Sequence, residues 1–323
     1  MDTEANPLPQ ISLTMQGIVY KSTGSWYTVK TEEGKIWNAR IKGILKIDGI
    51  TSTNPVSVGD RVIMEYEDGG GEGAMITEIQ KRNNYINRQS PANKYQHHII
   101  AANLDQSLLI ATLREPKTSQ GFMDRFLVAG EAFHIPSIIV FNKADIYRKK
   151  EMDLFEEYRE MYESAGYKVL LVSVQDKTGL DETEALLRNK TSLLSGHSGV
   201  GKSSFINVIV PEMALKTRDV SGWSGKGMHT TTFAEMLDLP AWNARIIDTP
   251  GIREFGLVDI SKQELSHYFP EMRIRLNDCQ FNNCLHINEP GCAIKKALEE
   301  GKIFLNRYVS YCVMLESIWE KNY

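Results

Sequence analysis

The segment Asn142-Lys143-Ala144-Asp145, an N-K-x-D, comes before the segment Gly196-His197-Ser198-Gly199-Val200-Gly201-Lys202-Ser203, a G-x-x-x-x-G-K-S. The second pattern is a phosphate-binding loop. Its glycines let successive backbone N–H groups face a phosphate, and its lysine reaches the phosphate oxygens. The first pattern is a base-reading loop, in which an aspartate carboxylate accepts both N–H donors on a guanine edge. Guanine-nucleotide hydrolases ordinarily carry the phosphate loop first. Here the order is base-reading loop, phosphate loop, a threonine run, then Asp248-Thr249-Pro250-Gly251. All parts of a GTP site are present in rotated order, which predicts a circularly permuted P-loop GTPase domain.

The hydrophobic pattern supports that domain over residues 96–258. Ser107-Leu108-Leu109-Ile110-Ala111, Ser137-Ile138-Ile139-Val140-Phe141, Lys168-Val169-Leu170-Leu171-Val172 and Arg245-Ile246-Ile247-Asp248 are apolar runs of buried-strand length. Helical patterns lie between them, as in residues 122–133 and 152–164. Alternation of this kind predicts a mostly parallel α/β sheet with helices on both faces and a ligand at the carboxyl ends of its strands. Thr191-Ser192-Leu193-Leu194-Ser195 reads as the strand before the phosphate loop. Ser204-Phe205-Ile206-Asn207-Val208 opens the helix after it, whose N-terminus favours anions.

Each motif residue has a role set by its chemistry. Lys202 reaches the β and γ oxygens, and the Ser203 hydroxyl is a Mg²⁺ ligand, with Ser204 beside it. Asn142, Lys143 and Asp145 read guanine. A carboxylate left unpaired by adenine makes that selection strong. Ser173-Val174, after the next strand, occupies the place of a second guanine-contacting loop. Asp248 holds Mg²⁺ through water, and the Gly251 N–H contacts the γ-phosphate. Ile252 stands where a water-orienting glutamine is usual, so intrinsic hydrolysis should be slow. Residues 220–232 hold several Gly and Ser residues before His229-Thr230-Thr231-Thr232 and suggest a mobile switch. Thr231 is the candidate to complete the Mg²⁺ shell. His229 is either the residue that orients or deprotonates water or a surface histidine.

Residues 10–88 carry five short β-rich runs separated by turn signals, which predicts a small N-terminal β-barrel of the OB-fold kind. Trp26, Tyr27 and Trp37 either stack on RNA bases or fill the barrel. Lys81, Arg82 and Arg88 form a basic exit, read as a solvated linker or a phosphate contact. Residues 261–323 are read as a helical zinc-binding domain. Cys279, Cys284, His286 and Cys292 there make a Cys₃His set, which predicts one closed, structural Zn²⁺ site. Cys312 falls in a helical run and is read as a buried thiol.

Composition excludes several classes. No apolar run is long enough to cross a bilayer, and no signal pattern opens the chain. The expectation is a cytoplasmic monomer without a membrane partner, its cysteines reduced. A formal charge of −4 leaves no global basic footprint, so any nucleic acid must meet local patches.

This constellation closely resembles the bacterial ribosome small-subunit-dependent GTPase A family (RsgA, also YjeQ or YloQ). The resemblance covers nearly the whole chain. It rests on the OB-like segment, the permuted order, G-H-S-G-V-G-K-S, H-T-T-T, D-T-P-G-I-R-E-F-G and C-x₄-C-x-H-x₅-C. It implies GTP/GDP with Mg²⁺, a zinc-binding C-terminal domain, and binding to the small (30S) ribosomal subunit and its rRNA late in assembly. It also implies subunit-stimulated hydrolysis, with His229 at the family's catalytic-histidine position and Ile252 as its hydrophobic replacement of glutamine. Val174 departs from the usual alanine. The permuted order places the C-terminal domain directly after the D-x-x-G switch, where it can act as a lever, and ties the barrel to the base-reading half. Two alternatives are a permuted GTPase acting on the large subunit and a nucleotide-gated RNA-binding assembly scaffold with little turnover.

Overall fold

The computed structural model describes residues 14–43, 54–66, 73–89, 97–209, 234–249 and 260–318. Five strands open it: β1 (Thr14–Ser22), β2 (Tyr27–Thr31), β3 (Ile36–Ile41), β4 (Arg61–Tyr66) and β5 (Gly73–Ile79). They close on themselves in the order β1-β2-β3-β5-β4-β1, with β3 and β5 parallel and the other pairs antiparallel. Closure follows from alternation. Trp37 and Ala39 point into the core of β3, while Ile36, Asn38 and Arg40 stay outside. Val19, Val29, Val62, Met64 and Ile76 complete that core.

The expectation for the barrel aromatics therefore divides. Tyr27 is 1% exposed and Trp37 4%, so both fill the barrel. Trp26 is 44% exposed, with the Arg40 guanidinium 3.8 Å from its ring centroid. Arg82 is neither solvated nor a phosphate contact. Its Nε and Nη2 each donate at 2.6 Å to the two carboxylate oxygens of Asp60, and both side chains are buried. Lys81 is exposed, and the Arg88 side chain lies outside the described residues.

A two-stranded ribbon, β6 (Tyr85–Gln89) and β7 (His97–Ala102), leads to the α/β sheet. Its strands are β8 (Gln106–Ala111), β9 (Ser137–Phe141), β10 (Lys168–Leu171), β11 (Thr191–Ser195), β12 (Glu235–Leu239) and β13 (Ala244–Asp248). The order β10-β9-β8-β11-β13 is parallel, and β12 closes the edge antiparallel to β13. β8 and β9 are buried along their whole length, as apolar runs covered on both faces must be. Helices α1 (Gln120–Ala132) and α2 (Lys149–Ser164) cover one face. Helices α3 (Leu180–Leu187) and α4 (Lys202–Ile209) cover the other.

The barrel is tied to the base-reading half, where Val58 bridges Ala101 of β7 and shares a core with Leu109 and Phe141, and it has a second seat at the other side of the sheet. β1 runs on to pair with β12, with Lys21 opposite Glu235. Asp238 of β12 accepts the Tyr20 hydroxyl and the Lys30 ammonium, each at 2.6 Å. The barrel thus borders the strand that follows the switch threonines.

The C-terminal part holds the short α5 (Pro270–Arg273), then α6 (Ala293–Glu299) and α7 (Leu305–Ser317). Its core includes Leu265, Phe269, Met272, Ile294, Tyr311 and Met314, and reaches Val128 of α1. Cys312 is only partly buried, since α7 turns it toward the helix margin beside Tyr308.

Candidate functional site

The carboxyl ends of the parallel strands bring the predicted loops together. Asn142 follows β9, Ser173 follows β10, Gly196 follows β11, and Asp248 ends β13. Buried Asn142 donates from Nδ2 to the Val200 carbonyl at 2.9 Å. One bond thus joins the base-reading loop to the phosphate loop. The fit leaves no room for a side chain at Gly201. A Cβ there would lie 2.5 Å from Asn142 Nδ2, and the residue sits at φ +94°, where glycine is free of strain. Asn142 Oδ1 is buried with no partner among the described residues.

Asp145 is exposed at the site mouth. The Ser173 hydroxyl donates to its Oδ1 at 2.7 Å and aims the carboxylate. Lys143, at φ +67°, donates from Nζ to the Glu115 carbonyl.

Within the phosphate loop, Lys202 Nζ donates to the carbonyls of Gly196 and His197. Burial pulls its pKa down, and Asp248 pushes it back up. Ser198, Gly199, Ser203 and Ser204 are exposed along the loop and at the start of α4. Burial raises the Asp248 carboxyl, with Lys202 opposing. Its Oδ1 is buried and unpartnered among the described residues. A partly dehydrated carboxylate beside a hydroxyl-bearing loop is the donor set that Mg²⁺ takes with nucleotide phosphates, so these residues fit the ion. Thr249 ties this strand end to the phosphate-loop strand, donating to the Leu194 carbonyl at 2.9 Å. His229, Thr231, Gly251, Ile252 and the glycine- and serine-rich switch segment lie outside the described residues.

Sequence reasoning missed the segment between β8 and α1. Its Leu113 N–H donates to the Tyr147 hydroxyl at 2.9 Å, and that hydroxyl donates to the Asn142 carbonyl at 2.6 Å. Phe122, in the first turn of α1, packs against the His197 ring in a tilted pair with centroids 3.8 Å apart. No local pattern marks these residues, because their partners are remote in sequence.

The second cluster is Cys279, Cys284, His286 and Cys292, whose donor atoms all lie within 4.8 Å of one another. His286 Nδ1 is 3.7 Å from Cys279 Sγ and 3.4 Å from Cys292 Sγ. Ordinary Zn–S and Zn–N bonds in a tetrahedron place S and N about 3.6 Å apart, so this donor set fits zinc. The loop is held from both sides. Glu289 accepts the backbone N–H groups of Leu285 and Ile287 at 2.8 and 2.9 Å. The hydroxyls of Tyr308 and Tyr311 donate to the carbonyls of His286 and Leu285.

The sequence matches the profile of the RsgA GTPase family over residues 79–258 and that of the RsgA N-terminal domain over residues 16–75. A relative from Christiangramia forsetii, the small ribosomal subunit biogenesis GTPase RsgA, is 50% identical, covering 96% of this chain and 98% of its own. The crystal structure of YjeQ from Thermotoga maritima superposes with a TM-score of 0.74 at 31% identity, over 94% of this chain and 98% of that one. YloQ, described as a circularly permuted GTPase, gives 0.71 at 30% identity, over 97% and 98%. The matches run along nearly the whole chain, which belongs to the RsgA GTPase family and is a GTP-hydrolysing enzyme.

Proposed function

We propose that this protein hydrolyses GTP in the late maturation of the small (30S) ribosomal subunit, with the subunit and its rRNA as partners and as the stimulus for turnover. The observation that carries the reading is the Asn142–Val200 bond, which unites the guanine and phosphate loops in a chain half identical to a small ribosomal subunit biogenesis GTPase. The phosphate loop, Gly196 to Ser203, cradles the phosphates through its N–H groups, and Lys202 neutralises charge growing on the transferred phosphoryl oxygens. Asn142, Lys143, Asp145 and Ser173 select guanine. Ser203, Thr231 and Asp248 hold Mg²⁺, which when bound polarises the phosphate oxygens. Gly251 contacts the γ-phosphate, and His229 positions the attacking water. The three units are an OB-fold RNA-binding domain (10–88), the GTPase domain (96–258) and a zinc-binding helical domain (261–323), in a cytoplasmic monomer. Among the described residues no helix is long and apolar enough to cross a membrane.

The test is GTP hydrolysis measured alone and with purified small subunits, with large subunits and ATP as controls. A basal rate on the order of 10⁻⁴ to 10⁻² per second, rising severalfold only with the small subunit and only for GTP, is the expected result. Stimulation by the large subunit, or by neither, would overturn the assignment. RNA contact on the barrel is supported at Trp26 and Arg40, the exposed stacked pair.

The zinc role has its own check. Cys284→Ser removes one of four donors and leaves three, too few for a closed structural site. Metal analysis should find about one zinc per wild-type chain and little in the variant. Equal zinc in both proteins would dismiss the Cys₃His assignment.

A further inference from the structure

We propose that Phe122 is a positioning residue for the phosphate loop, acting through His197, and that helix α1 makes the C-terminal helical region the loop's second anchor. The inference rests on the nucleotide-site reading above.

His197 carries the only ring in the loop. That ring lies 3.8 Å, centroid to centroid, from Phe122, tilted by 33°. Phe122 is itself fixed. Its backbone N–H donates to the side chain of Ser119, the N-cap of α1, at 3.3 Å, and the side chain is buried.

The segment entering α1 touches the loop a second time. A Cβ on Gly199 would stand 3.3 Å from Pro116 Cδ. One residue earlier, the Glu115 carbonyl accepts Lys143 of the base-reading loop. Inside the segment, the Thr112 N–H donates to Thr118 Oγ1 at 3.0 Å, and the Thr118 N–H donates to the Thr112 carbonyl at 2.7 Å. The segment is thus a braced strut between the two nucleotide loops, and Phe122 is its contact with the side chain at the loop's second position.

Two residues beyond Phe122, Asp124 is held from the opposite side. Its Oδ1 accepts Arg307 Nη1 of α7 at 2.6 Å and the Tyr162 hydroxyl at 2.9 Å. Arg307 also grips Glu271 of α5 through Nε at 2.7 Å. One turn of α1 therefore carries both the loop contact and the attachment of the C-terminal region. A packed helix moves as a rigid element, so a shift at Arg307 displaces Phe122 and with it His197.

The experiment measures release of fluorescent GDP from the full-length protein. An aromatic pair contributes enough to change a rate about two- to tenfold. His197→Ala and Phe122→Leu should each speed release by that factor. The double variant should be no faster than the single ones, because both remove the same contact. His197→Phe, which keeps the ring, should release GDP at nearly the wild-type rate. Glu271→Gln should speed release in the wild-type background and leave the Phe122→Leu protein unchanged. Unchanged release in the single variants, additive effects, or failure of the ring to rescue would each overturn the proposal. If Phe122→Leu melts well below the wild type, His197→Ala against His197→Phe decides, since that loop residue is only partly buried. A wild-type protein that binds no GDP would instead overturn the nucleotide site itself, and this inference with it.

Discussion

Replacing Arg307 by alanine is expected to cost about 3–5 kcal/mol of folding stability. The guanidinium is 1% exposed and lies between two buried carboxylates, Asp124 and Glu271. Its Nη1 meets Asp124 Oδ1 at 2.6 Å, and its Nε meets Glu271 Oε1 at 2.7 Å. It also lies over the Phe269 ring, 4.7 Å from the centroid. Alanine removes the cation but leaves both anions away from water, and an uncompensated buried charge is costly. Tyr162 can still donate to Asp124, which limits the loss on that side. Urea unfolding of the wild type and variant measures the difference. Adding Asp124→Asn and Glu271→Gln to the alanine variant should recover part of it, because neutral amides need no counter-charge. A loss below about 1 kcal/mol, the range of exposed pairs, would mean that water reaches the cluster and that it does not fasten the C-terminal region to α1.

The contrast between that cluster and the nucleotide loops explains what could be read from sequence. Chemistry that needs adjacent residues leaves a local pattern. The phosphate loop, the N-K-x-D and the D-T-P-G are legible because one short stretch of backbone must supply all the contacts, with a strand before the loop and a helix after it. The barrel strands are legible through alternation, as in β3, where Trp37 and Ala39 face inward between exposed neighbours. Arg307 and Asp124 stand 183 residues apart, and nothing near either one announces the other. Arg82 reads as part of a basic exit until folding brings Asp60 to it. Strand β12 was missed for a similar reason. It is a short strand between β13 and β1 with Asp238 near its end, and that charge is accommodated only because Tyr20, Lys30 and Arg245 arrive from elsewhere. Since β12 borders β1, the barrel's second seat on the sheet is hidden in the sequence along with it. Tyr147 and Phe122 brace the nucleotide loops from outside the motifs, and such support has no fixed spacing.

Changing Asp145 to asparagine should lower affinity for guanine nucleotides on the order of 10⁴-fold while leaving the fold intact. The carboxylate offers two acceptors, matching the N1–H and 2-amino donors of guanine. Asparagine offers one acceptor and one donor, so its amide group meets the 2-amino group donor to donor. Xanthine keeps the N1–H but has a carbonyl at position 2, which complements the amide. The variant should therefore bind xanthosine diphosphate and prefer it to GDP. Geometry supports a clean exchange. Asp145 is exposed, so no buried charge is lost, and the Ser173 hydroxyl that donates to Oδ1 at 2.7 Å can donate equally to an amide oxygen. Competition of GDP, xanthosine diphosphate and ADP against a fluorescent nucleotide measures the switch in one assay. If the variant holds GDP within an order of magnitude of wild type, Asp145 is not the base-reading carboxylate. If it binds none of the three nucleotides, the substitution has disturbed the loop that Asn142 ties to Val200, and selectivity would have to be sought in the Lys143 and Ser173 contacts instead.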